Sequence, residues 1–183
     1  MSEFVFKTKP YAHQVKALKL CGGQEYYGLF MEMGTGKSKV LIDEIAALYL
    51  KGKITGALII APKGAYRNWE KGEIPTHMPD NVPIDMAIWK APSEMSITDK
   101  NTIKRILQPN GKLRIFLMNV EALSSKIGTQ VAYKFLKGNP SMMAIDESTT
   151  IKTPTASRTK NALKLSTQAK YRRILTGSPV TKN

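Results

Sequence analysis

Tyr26 to Leu48 reads YYGLFMEMGTGKSKVLIDEIAAL, and this stretch decides the fold. Its opening residues, Tyr26–Phe30, are aromatic and apolar enough for a short buried strand. From Val40 to Leu50 apolar residues dominate, interrupted mainly by Asp43 and Glu44, which predicts a helix. Between the two lies Gly34-Thr35-Gly36-Lys37-Ser38. Strand, glycine loop, Lys-Ser and helix in succession form the phosphate-binding arrangement. Backbone N–H groups must come close to a polyphosphate, and Gly34 and Gly36 permit this by lacking a Cβ. The free N–H groups at the helix start favour negative charge. Lys37 would reach the β- and γ-phosphates, and Ser38 would offer its hydroxyl to Mg²⁺. The pattern departs at one point: its first glycine falls at Met31.

Working outward, Lys9–Leu20 reads as a helix with Pro10 in its first turn and Tyr11, Val15 and Leu18 on one face. Gly22-Gly23 ends it. Ile54–Ala61 is a continuous apolar run suited to a strand buried on both faces. Further strands are expected at Ile84–Trp89, Leu113–Met118, Met142–Ile145 and Tyr171–Leu175. Helices are expected at Gly64–Ile74, Thr98–Leu107, Glu121–Leu136 with a break at Gly128, and Ser157–Leu165. Tyr66, Trp69 and Ile74 form the apolar side of the first of these, and Trp69 reads as a packing anchor. Pro75, Pro79 and Pro83 predict a loop after it. Alternation of strands and helices with short links predicts one three-layer α/β domain over residues 1–183, with a mainly parallel sheet.

In such a sheet ligands gather where strand C-termini meet the following loops. Gly34–Ser38, Asp146-Glu147 and Thr176–Pro179 each follow a predicted strand, so they should converge on that edge. Asp146 and Glu147 end the apolar run Met142–Ile145. Beside a nucleotide, Asp146 would help hold Mg²⁺. Glu147 could orient and deprotonate an attacking water.

A formal charge of +14 on 183 residues points to a polyanionic partner. Ser148 to Asn183 carries eight basic residues (Lys152, Arg158, Lys160, Lys164, Lys170, Arg172, Arg173 and Lys182) and no acidic one, which favours weak, salt-sensitive nucleic-acid binding. A single cysteine, Cys21, excludes an intramolecular disulfide framework. His13 and His77 are far apart and read as surface or packing residues. No run reaches the length of a membrane span and the N-terminus lacks a secretory apolar region, so a cytoplasmic setting is expected.

Tyr11-Ala12-His13-Gln14, Met31–Ser38 (MEMGTGKS), Leu58–Glu70 (LIIAPKGAYRNWE), Asp146–Lys152 (DESTTIK) and Leu175–Val180 (LTGSPV) stand in the order of the superfamily 2 helicase motifs. The chain resembles the first RecA-like lobe of Swi/Snf-related DNA translocases, phage and bacterial members included. The resemblance runs from about Tyr11 to Val180. It implies a RecA-like P-loop NTPase lobe that binds ATP and Mg²⁺ and couples hydrolysis to movement on duplex DNA or remodelling of protein–DNA complexes. It assigns Gln14 to the adenine edge, with Tyr11 packing near the base. Gly34, Thr35, Gly36, Lys37 and Ser38 match motif I, and Asp146 and Glu147 the metal and water-activating acids of motif II. Thr176 and Ser178 match motif III, which couples nucleotide to nucleic acid. Pro62 and Lys63 match motif Ia, and Asn119 falls where motif Ib would be, both facing the nucleic-acid backbone.

Ser148 and Thr149 replace the usual alanine and histidine after the motif II acids. The motifs stop after the third, so a second lobe with its arginine finger is expected to lie outside the chain. Arg172 and Arg173, expected on the far side or edge of the last strand, do not replace that arginine. With no arginine finger, the lobe is expected to bind ATP and turn it over slowly. Two alternatives stay open: an RNA helicase lobe, and a non-catalytic nucleic-acid-binding module.

Overall fold

The apolar runs become parallel strands because each is followed by an amphipathic stretch that must lie back across the sheet. The computed structural model describes residues 3–151 and 153–177. In chain order the elements are α1 (Ala12–Cys21), β1 (Tyr26–Phe30), α2 (Lys37–Leu50), β2 (Gly56–Ala61), α3 (Tyr66–Asn68), a π turn (Trp69–Glu73), α4 (Ile74–His77) and β3 (Ile84–Ile88). There follow α5 (Ile97–Ile106), β4 (Leu113–Asn119), a 3-10 turn (Val120–Ser124), α6 (Lys126–Leu136), β5 (Ser141–Ile145), α7 (Ser157–Ser166) and β6 (Tyr171–Thr176). The strands form one six-stranded sheet in the order β1-β6-β5-β2-β4-β3, parallel at every pairing. This is the three-layer α/β architecture that the alternating pattern predicts, and it agrees with the RecA-like lobe that the resemblance implies.

Central strands are buried on both faces, which is why β2 and β5 read as unbroken apolar runs. Along β2, Ala57 and Ile59 meet Val40, Ile42 and Trp69 on one face, while Leu58 and Ile60 meet Phe116, Phe135 and Met143 on the other. Full burial of each Leu or Ile contributes about 1.5–3 kcal/mol. Strand β1 is not the buried strand that its composition predicts. It lies at the sheet edge with Tyr26 and Phe30 exposed and Leu29 buried, and the Arg172 guanidinium covers the Tyr26 ring at 4.4 Å.

Two other expectations are corrected. Pro75 does not open a loop; the helical path continues through it to His77 because a π turn precedes it, with the Ile74 N–H donating to the Trp69 carbonyl. A π turn places residues five apart on one face, so Trp69 and Ile74 are both buried. The break in the stretch 121–136 falls at Ser125, whose hydroxyl accepts from the Gly128 N–H at 2.9 Å. Gly128 is inside α6, where a Cβ would meet the Ala122 carbonyl at 2.4 Å.

Arg173 lies within β6 and is fully buried. It forms a two-point ion pair with Glu44 of α2 and donates to the carbonyls of Cys21, Gln24 and Glu25. The helix ending at Cys21, the P-loop helix and the last strand are thereby tied together. It is therefore no part of a basic surface. Arg114 of β4 is likewise buried, donating to Thr55 and to the Ile106 carbonyl. No helix of the described residues is long and apolar enough to cross a membrane.

Candidate nucleotide and nucleic-acid site

All strand C-termini face one edge, and the register keeps their exits level. Phe30 is opposite Thr176, Ile60 opposite Ile145, and Ala61 opposite Asn119. The chain leaving β1 enters the loop Met31–Gly36. β2 delivers Pro62-Lys63, β4 Asn119, β5 Asp146-Glu147 and β6 Thr176-Gly177. The sites predicted along the sequence therefore share this edge. Ser178 lies outside the described residues.

The loop is shaped by two glycines in the left-handed region, Gly34 at φ 76° and Gly36 at φ 82°. Gly36 is demanded twice over. A Cβ there would also stand 2.2 Å from Nε2 of Gln14, which packs under the loop. From α1, the Gln14 Nε2 and the His13 Nε2 both donate to the Thr35 carbonyl, at 3.0 and 2.9 Å. Gln14 Oε1 accepts from the Tyr11 N–H at 3.0 Å, fixing the helix start, and the exposed Tyr11 ring stacks on His13. His13 thus holds the loop directly, a role its isolated position in the sequence does not reveal.

Lys37 opens α2 and is nearly buried, yet its ammonium meets no carboxylate among the described residues' ion pairs. Nζ donates instead to the carbonyls of Met31 and Glu32, both at 3.0 Å. A desolvated cation held by neutral oxygens at the start of a helix suits an anionic ligand. Ser38 follows, half-buried. A hydroxyl here and the Asp146 carboxylate are hard oxygen donors of the type that Mg²⁺ takes, and with phosphate oxygens they could hold it.

Asp146 is fixed from two sides. Its Oδ1 accepts from the Glu147 N–H at 3.0 Å and its Oδ2 from the Trp69 indole N–H at 3.0 Å. Its own N–H extends the ladder to the Ile60 carbonyl. Glu147 has φ 48°, a left-handed conformation that costs an ordinary residue about 1–2 kcal/mol. Strain of this kind collects at functional sites. Thr176 is buried, and Gly177 passes so near the loop that a Cβ would meet Met33 Cγ at 3.0 Å.

After β2, Lys63 is exposed, and the Pro62 carbonyl accepts from the N–H groups of Ala65 and Tyr66 to start α3. The Asn119 Oδ1 caps the 3-10 turn through the Ala122 N–H at 2.9 Å. Sequence reading missed a groove of about 860 Å³ between α6 and α7, lined by Lys126, Lys134, Lys137 and Lys164. Lys126 and Lys134 are exposed residues of α6 and Lys137 caps its end, a run from 126 to 137 whose lack of acidic residues could have flagged the groove. Arg67, Lys71 and Lys90 line a second cleft of about 420 Å³ between α3 and β3.

A glycine loop gripping a buried lysine after β1, with an acid pair after β5 two strands along the same parallel sheet, defines a P-loop nucleotide-binding lobe of RecA type. A family profile described as the SNF2-related domain matches residues 14–183, and the chain belongs to that family. Among solved structures it is similar to the Sulfolobus solfataricus SWI2/SNF2 ATPase core in complex with double-stranded DNA, at 22% identity and TM-score 0.70. That match covers 98% of this chain and 34% of the other. The UvsW helicase of bacteriophage T4 matches at 16% identity and TM-score 0.64, over 93% of this chain and 53% of that one. The type ISP restriction-modification enzyme LlaGI, as a nuclease-deletion mutant with a DNA substrate mimic, matches at 16% identity and TM-score 0.62, over 96% and 18%. A search of curated proteins finds no significant match.

Proposed function

We propose that residues 1–183 act as the ATP-binding first lobe of a DNA-dependent ATPase that moves on duplex DNA or remodels protein–DNA complexes. The observation that carries this reading is Lys37, a nearly buried ammonium parked on two loop carbonyls beside a helix start. An incoming polyphosphate offers it oxygens of opposite charge, and charge-assisted hydrogen bonds are about twice as strong as neutral ones.

Tyr11 packs beside the base and Gln14 reads the adenine edge. Each atom of the Gln14 amide already has one partner, but the amide keeps a second N–H and a second lone pair for the base. Gly34, Thr35, Gly36 and Lys37 hold the phosphates, and Ser38 and Asp146 hold Mg²⁺. When bound, that ion neutralises charge on the β- and γ-phosphates. Glu147 takes the proton of the attacking water. Thr176 and Ser178 couple this site to nucleic acid, whose backbone lies on Pro62, Lys63 and Asn119. A second lobe supplies an arginine and excludes water from the far side of the phosphates.

Phosphate release, measured with and without duplex DNA, tests this. The chain by itself is expected to bind ATP and hydrolyse it slowly, with little stimulation by DNA. Joined to a second RecA-like lobe, turnover should rise by about 10³–10⁵-fold, as for an arginine finger supplied in trans. Glu147→Gln should abolish that gain and spare ATP binding. Rapid, DNA-stimulated turnover by the chain alone would contradict the half-motor reading.

A further inference from the structure

Trp69 sits far from Asp146 in sequence and carries no role beyond packing in any motif reading above. Its ring is buried among Ile42, Ile59 and Ile74, and its indole N–H points at one atom, Asp146 Oδ2, at 3.0 Å. A buried indole N–H needs an acceptor. Backbone carbonyls are the commonest choice in a protein interior, yet this one takes the carboxylate assigned to the metal.

We propose that Trp69 is a positioning residue for Asp146, locking the carboxylate plane for Mg²⁺ and linking it mechanically to the Pro62-Lys63 loop; this rests on the nucleotide reading above. The link is short and rigid. Pro62 receives the N–H groups of Ala65 and Tyr66, and Ala65 receives those of Asn68 and Trp69. A displacement of the loop therefore travels through successive hydrogen-bonded turns to the indole. The π turn begins at Trp69 itself and turns the ring and Ile74 onto one face, so the indole is anchored as it reaches the acid.

The carboxylate is held without being used up. Glu147 and Trp69 each donate to a different oxygen, and each oxygen keeps a free lone pair. Without the indole bond, the Glu147 N–H alone holds the carboxylate, at Oδ1, and Oδ2 is free to swing about that contact. It must then be ordered at the moment the ion binds.

Trp69→Phe keeps an aromatic ring in the core and deletes the indole N–H, together with the five-membered part of the indole. Binding of mant-ATP is measured in EDTA and across a Mg²⁺ titration, with a thermal melt of each protein. Wild type should bind in EDTA and gain affinity with Mg²⁺. The variant should match it in EDTA but need about tenfold more Mg²⁺ for the same gain, with a melt that is lowered yet still cooperative, which shows that it is folded. Identical Mg²⁺ dependence in a folded variant overturns the proposal. Failure of wild type to bind mant-ATP at all would sink the nucleotide reading, and the proposal with it.

A second measurement leaves Trp69 in place. In a Trp89→Phe background Trp69 is the remaining tryptophan. Adding Mg²⁺ to the ATP-loaded protein should shift its emission, and Asp146→Asn should remove the shift. An emission that ignores Mg²⁺ would overturn the proposal even if Trp69→Phe fails to fold.

Discussion

Lys37 and Lys39 stand two residues apart on the same helix, both buried, and they are handled in opposite ways. Lys39 donates to Asp43 Oδ2 at 2.8 Å, four residues on, in a pair that water barely reaches. Phe6 lies under the same ammonium at 5.3 Å. Lys37 has two carbonyl oxygens and, among the described residues, no carboxylate partner. One cation is completed by the protein; the other is left for something to complete. Arg173 and Glu44 are handled in the same way as Lys39, paired with each other in the interior. The division is not complete, because the second oxygen of Asp43, Oδ1, is buried without a hydrogen-bond partner among the described residues.

The interior half of this contrast breaks most visibly at Arg173. Replacing it with Met strands Glu44 in the core, and losing one partner of a buried pair costs about 3–5 kcal/mol. Chemical denaturation should record that loss. The double variant with Glu44→Met should recover much of it, because no charge is then left buried. If the single and double variants are equally unstable, the pair is not what matters there.

At the site end, Gln14 sharpens the contrast. Its spare N–H and lone pair match adenine, whereas guanine presents an acceptor where adenine has a donor. ATP should outbind GTP by about 1–3 kcal/mol, and Gln14→Ala should erase the difference. Because Gln14 also braces Thr35, the alanine variant should weaken both nucleotides as well. Competition binding with both nucleotides decides it, and equal affinities in wild type would remove Gln14 from the base.

The smallest expected effect concerns Asp85, a nearly buried acid of β3 paired with a largely exposed arginine. Asp85 accepts from Arg105 and Asn110, and the Arg105 hydrogen bonds hold its carboxyl below the usual range. The unfolded chain then binds more protons as pH falls through that window. The stabilisation is complete above the ordinary carboxylate pKa and is lost as pH drops through the folded value. Asp85→Asn should flatten the acid limb of the stability curve by a few tenths of a kcal/mol, while changing little at neutral pH. Parallel acid limbs in the two proteins would rule out that contribution.

Much of this was legible in the sequence. The strand–loop–helix at Tyr26–Leu48, the buried strands and the parallel α/β alternation are local patterns, and the ordered motifs placed Lys37, Asp146 and Gln14 on one edge. What stayed hidden depends on partners distant in the chain. Arg173 in a strand looks like surface charge until Glu44, 129 residues away, is seen beside it. Strand order likewise lies outside any local pattern, so the aromatic β1 read as buried although it is an edge. Trp69 and Ile74 at a spacing of five were a visible sign of the π turn, because an α-helix separates such positions widely. Its consequence, the bond to Asp146, could not be read from spacing.

The central claim is that Lys37 waits for a phosphate whereas Lys39 serves the fold. The direct measurement pairs a mant-ATP titration with a thermal melt for Lys37→Met and Lys39→Met. Lys37→Met should lower affinity by about a hundredfold or more, as expected for charged hydrogen bonds of about 1.5–3 kcal/mol each, and leave the melt near wild type. Lys39→Met should keep the affinity and lose about 3 kcal/mol, which lowers the Tm of a domain this size by about 6–12 °C. Nucleotide affinity untouched by Lys37→Met, or lost equally in both variants, would contradict the account.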